Sequence, residues 1–85
     1  MADTTILGIL LRKRMQTAES FQEILSKHGC IIKTRVGIHN ASDNKCSPDG
    51  VILLDVIGDD SEIATLEKDL KFLYGAEVQK MSFKF

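Results

Sequence analysis

The chain has 85 residues, with 11 Lys+Arg against 12 Asp+Glu and a formal net charge of −1. That length holds a single domain, 1–85, and the even charge excludes a protein that grips nucleic acid through a basic face. Hydrophobic residues make up 44% and charged residues 27%, which describes a folded globular chain and not a disordered one.

The first segment, Thr5 to Leu11, is almost continuously apolar and predicts a strand buried on both faces. From about Met15 to His28 the period changes. Ala18, Phe21, Ile24, Leu25 and His28 fall at helical spacing, with Lys27 and His28 at the C-terminal end of the dipole and Gly29 as a left-handed stop. Cys30 to Ile38 alternates, with Ile31 as an exception, and predicts a half-exposed edge strand. The polar stretch from His39 to Gly50 predicts a long loop, closed by the turn signal Pro48-Asp49-Gly50. Val51 to Ile57 is apolar on both parities apart from Asp55 and predicts a second central strand. A second helix opens with Asp59 and Glu62 as a capping box, buries Ile63, Leu66, Leu70 and Leu73, and ends at Gly75. Ala76 to Phe85 predicts a final edge strand, with Met81, Phe83 and Phe85 on one parity.

The order βαββαβ predicts an α+β, ferredoxin-like fold: an antiparallel sheet with two helices on one face. Right-handed crossovers place the first and third strands, the most apolar ones, at the centre. Two helices cover only one sheet face. If Leu7, Ile9, Leu11, Ile52, Leu54 and Val56 meet the helices, then Ile6, Leu10, Val51, Leu53 and Ile57 face the other way, together with Gly8, Arg12 and Asp55. Such an apolar patch exceeds what monomers usually expose, so these five residues are the expected oligomer interface of a dimer or tetramer. Asp55 either faces a partner chain or a pocket, or pairs with Arg12 across the central strands, and the pair is the favoured expectation.

The chemistry-bearing residues are few. His39 and Cys46 share the polar stretch, and imidazole with thiolate suits a transition metal, but two ligands per chain make a site only if a second subunit supplies more. Arg12-Lys13-Arg14 with Lys33 and Arg35 form either a local anion site or a solvated strand end and charged edge. There is no phosphate-cradling Gly-rich loop and no Ser/His/Asp or Cys/His catalytic set, so no catalytic residue is assigned and no enzyme is expected. The absence of strand aromatics disfavours an RNA-binding sheet, and no direct nucleic-acid partner is expected. Cys30 and Cys46 match no zinc or redox motif and read as free thiols. The apolar run Ile6–Leu11 is too short for a signal core or a membrane span, so a cytoplasmic protein without membrane contact is expected.

The opening strand, Arg35-Val36-Gly37-Ile38, the polar stretch, the aliphatic third strand and the short last strand together resemble the family of regulators assigned to the iron-only hydrogenase system. That family is similar to ACT domains and to the C-terminal sensor domain of the nickel-responsive regulator NikR. The resemblance implies an ACT-like fold, self-association and a regulatory role in a bacterium with hydrogenase-type metabolism. Any effect on transcription would have to go through a protein partner, since the chain has no helix-turn-helix and no basic face. The nickel sensor's several His have only His39 and Cys46 as loose counterparts here. The first strand–helix junction lacks the Gly of amino-acid-binding ACT domains. The expected function is therefore a non-enzymatic regulatory or ligand-sensing homo-oligomer with its cofactor unassigned. The alternative is a metal-binding module built on His39 and Cys46 across subunits.

Overall fold

In the computed structural model the backbone is described for residues 3–12, 14–42 and 45–85, and side chains for 3–12, 18–38 and 50–85. The elements run β1 (Thr4–Leu11), α1 (Arg14–Lys27), β2 (Ile32–Ser42), β3 (Lys45–Val56), α2 (Asp60–Lys71) and β4 (Ala76–Phe83). The strands form one sheet in the order β2-β3-β1-β4, and every neighbouring pair is antiparallel. This is the ferredoxin-like arrangement, with the two most apolar strands in the middle.

Alternation along β1 decides which residues make the core. Leu7, Ile9 and Leu11 are buried under the helices, while Ile6, Gly8 and Leu10 point the other way and are only half-buried. Leu54 and Val56 join them from β3, Phe21 and Leu25 from α1, and Ile63, Leu66 and Leu70 from α2. Burying each such side chain contributes roughly 1.5–3 kcal/mol.

The start of α2 shows local sequence and packing acting together. Asp59 Oδ1 accepts from the Glu62 N–H at 2.8 Å, and the Asp59 N–H donates to Glu62 Oε1 at 3.1 Å, completing the expected capping box. Gly58 precedes it at φ +127°, where a Cβ would stand 3.0 Å from Ile31 Cγ2. Only glycine takes that conformation without strain.

Three expectations change. Gly29 does not stop α1 in a left-handed conformation; the positive-φ glycines are Gly58 and Gly75. The chain instead continues into a 3-10 turn, Gly29–Ile31. That turn explains why Ile31 broke the strand alternation: it is buried from the turn, and its carbonyl accepts from the Ile57 N–H at 2.7 Å.

The second change lies in β2. A register shift between Ile32 and Thr34 moves the strand from one face to the other. Ile32 therefore packs against the core, while Val36 and Ile38 lie exposed on the opposite face.

The third change concerns His39 to Gly50, which is not a loop over most of its length. His39 pairs with Gly50, Ala41 with Cys46 and Ser42 with Lys45, extending β2 and β3 into a hairpin. Residues 43 and 44 lie outside the described part. Main-chain bonding between the two strands holds the hairpin, which accounts for a strand without an apolar pattern.

Candidate functional site

The sheet has two unlike faces. On the open face, Ile6, Leu10, Val51 and Leu53 line one shallow groove of about 390 Å³ with Met81 of β4. Val36 and Ile38 of β2 extend the same surface, because they pair with Leu53 and Val51. Phe83 belongs to it at the far end of β4, opposite Thr4. Val36, Ile38, Met81 and Phe83 are each about half exposed, at 47–53%. Sequence alternation along β2 and β4 carried the signal for these four residues. The fifth residue expected on the interface, Ile57, falls just past β3 and is 46% exposed; it lines a separate hollow with Thr5 and Ile63.

Two charged features mark this face. Asp55 is half-buried between Ile6 on β1 and Thr34 on β2. At the opposite end, Arg12 Nη2 lies 3.3 Å from Glu77 Oε1. The expected Arg12–Asp55 pair does not form. Asp55 stands opposite Ile6, and Arg12 lies six residues further along the chain. At about 3.3 Å per strand residue that is roughly 20 Å, well beyond the reach of either side chain.

On the helix face, a cleft of about 660 Å³ opens between α1 and the base of the hairpin. Its apolar wall includes Leu11, Phe21 and Ile52, and its polar rim is Arg35 and Gln22. Arg35 Nη1 donates to Gln22 Oε1 at 2.9 Å, and its guanidinium carbon lies 5.6 Å from the Phe21 ring centroid. Stacking and hydrogen bonding hold the planar cation in one orientation over an apolar floor. Such an arrangement suits a ligand with a flat apolar body and a carboxylate or phosphate. Arg35 aligns with helix-facing Leu54, whereas Arg12 reaches Glu77 on the open face, so these two arginines do not converge on one anion site. The side chains of residues 13 and 14 lie outside the described part.

His39 and Cys46 stand on adjacent strands of the hairpin, His39 paired with Gly50 and Cys46 with Ala41. Their side chains lie outside the described residues. Among the described residues there is no cluster of three or more His, Cys, Asp and Glu side chains placed to hold a metal ion. No described helix is long and apolar enough to cross a membrane.

One polar pair was not foreseen. His28 Nε2 lies 2.7 Å from Asp69 Oδ2, with Lys27 Nζ at 3.4 Å from the same oxygen. The pair fastens the end of α1 to α2. His28 and Lys27 hold the Asp69 carboxyl below its ordinary value, the His28 hydrogen bond acting most strongly. The available signal was His28 itself, which falls on the same helical stripe as Phe21 and Leu25.

Comparison with protein-family models gives no match, and comparison with curated proteins gives none either. Solved structures do match. The uncharacterized protein TM1266 from Thermotoga maritima superposes with a TM-score of 0.81 at 23% identity, covering 95% of this chain and 96% of that one. CPII, a nitrogen regulatory PII-like protein from Thiomonas intermedia K12 bound to ADP, AMP and bicarbonate, gives 0.60 at 13% identity, with 98% and 94% covered. The de novo designed protein Foldit4 gives 0.58 at 12%, with 100% and 99% covered. A designed protein thus matches about as well as a natural regulator. The likeness establishes the fold, and function has to be argued from the surfaces of this chain.

Proposed function

We propose that this chain is a small, non-enzymatic regulatory domain that binds a ligand on the helix side of its sheet and self-associates through the open side. The observation that carries the reading is the division of one sheet into two unlike faces: an apolar cleft rimmed by Arg35, and an uncovered apolar surface. The resemblance to regulators of the iron-only hydrogenase system supports a role in that metabolism, exerted through a protein partner.

Self-association follows from area. Four strands about 4.8 Å apart and roughly eight residues long offer a footprint on the order of 500 Å² per copy. Pairing two copies therefore buries about 1,000 Å², the lower end for a specific interface. A second copy fits because it offers the same flat, apolar, four-stranded surface.

CPII is bound to ADP, AMP and bicarbonate, so these are the first probes for the cleft. A nucleotide matches the chemistry, with a flat base for the Phe21 side and phosphate for Arg35. Isothermal titration calorimetry with ADP, AMP and bicarbonate tests this. Saturable binding by the wild type, weakened about tenfold or more in Arg35→Ala, is the expected result, since a charge-assisted pair is lost. Binding that Arg35→Ala leaves intact removes the cleft from the account.

A second reading keeps the transition-metal module. The pairing of the hairpin supports it: Cys46 stands opposite Ala41, which is two residues from His39 on the neighbouring strand, across a register shift. A second subunit would then complete a four-ligand site.

A further inference from the structure

Asp55 is out of place on its face. It is half-buried beside Ile6 and Leu53, and it makes no ion pair among the described residues. A partner sheet laid over it removes more of its water, a cost that only a cation or several hydrogen-bond donors offset. On the open face Asp55 stands at one end and the Arg12–Glu77 pair at the other.

The two ends are related through the middle of the sheet. Asp55 stands opposite Ile6; Ile9 lies three residues from Ile6 and three from Arg12. A two-fold axis that crosses the strands at Ile9 and Ile52 reverses the strand direction between copies. It brings the Asp55 end of each copy over the Arg12 end of the other. The distance from axis to charge is about 10 Å on each side. Asp55 is on β3 and Arg12 follows β1, a sideways step of about 4.8 Å. Aligned sheets usually pack at about 30°, and that rotation moves a point about 10 Å from the axis by about 5 Å. The separation of packed sheets, also about 10 Å, is spanned by an arginine reaching toward a carboxylate.

We infer that a second copy of this chain covers the open sheet face about this axis, and that Asp55 of each copy pairs with Arg12 of its partner. The ion pair expected within one chain thus forms between two. Arg12 keeps its contact with Glu77, since a guanidinium has five N–H donors and serves two carboxylates. The symmetric arrangement forms the pair twice, and the charges fix the register of a largely apolar surface. The inference rests on the self-association proposed above.

The test is a charge exchange read by sedimentation velocity over a range of concentrations, with far-UV circular dichroism to confirm folding. Asp55→Arg alone and Arg12→Asp alone each set like charges together twice, and each is expected to weaken the dimer by about tenfold or more. The double variant, Asp55→Arg with Arg12→Asp, restores the opposition and is expected to return the dissociation constant to within about threefold of wild type. If a single reversal fails to fold, the neutral cycle of Asp55→Asn, Arg12→Gln and both together replaces it, with a coupling between the two sites as the expected result. A wild-type dimer that the reversals do not weaken, or that the double variant does not restore, overturns the pairing while leaving self-association standing. A wild type that stays monomeric overturns both.

Discussion

At the residue scale, the His28–Asp69 pair makes a pH prediction. Asp69 is the folded-state acid, and its carboxyl is held below the ordinary value of 3.8, chiefly by the His28 hydrogen bond and further by Lys27. A lowered folded value means that the unfolded chain binds the proton more readily. The stabilisation is therefore complete above the ordinary value and is lost as pH falls through the lower folded one. Asp69→Asn is expected to cost about 1–2 kcal/mol in urea unfolding at neutral pH. Repeated at successively lower pH below the ordinary value of 3.8, the difference between variant and wild type should shrink as the folded carboxyl takes up its proton. A gap of constant size would show that the charge of Asp69 contributes nothing. The sequence showed one member of this pair: His28, just past the end of α1, continues the spacing of its buried stripe. Its partner lies 41 residues away, and no local pattern reports a contact between two helices.

At the element scale, legibility depended on whether a segment meets the core. The second helix was readable because its cap is local and its stripe is buried: Asp59 and Glu62 complete their box, and Ile63, Leu66 and Leu70 lie inside. Replacing Asp59 by alanine removes an acceptor from the first turn of α2 and is expected to lower stability by about 1 kcal/mol, read as a shift in denaturant midpoint with an unchanged slope. An unaltered midpoint would mean that tertiary packing alone sets the start of this helix. The β2–β3 hairpin was unreadable for the opposite reason. From His39 to Gly50 the ladder is held by main-chain groups, so side chains there are not sorted into an apolar and a polar set. The register shift between Ile32 and Thr34 hid a second fact, since it places Ile32 and Val36 on opposite faces although they share parity.

At the scale of the whole molecule, the topology followed from two aliphatic segments. Leu7, Ile9 and Leu11 in β1 and Leu54 and Val56 in β3 are the buried halves of the central strands. Their other halves, Ile6, Leu10, Val51 and Leu53, share one open surface. Periodicity supplied that division, and with it the candidate interface. The cleft under Arg35 was invisible in the sequence, because Phe21, Gln22, Arg35 and Ile52 come from three elements that only folding brings together. Resemblance in fold adds less than its coverage suggests, as a designed protein and a PII-like regulator match this chain almost equally.

Both the proposed regulation and the Asp55–Arg12 pairing depend on a second copy of the chain covering the open sheet face. Native mass spectrometry of the purified protein from volatile buffer tests it most directly, because subunit number and any bound mass are read together. The expected result is an even-numbered oligomer, with a nucleotide-sized added mass if the cleft is occupied and a metal-sized one if the hairpin binds a metal. A monomer at every concentration would contradict it.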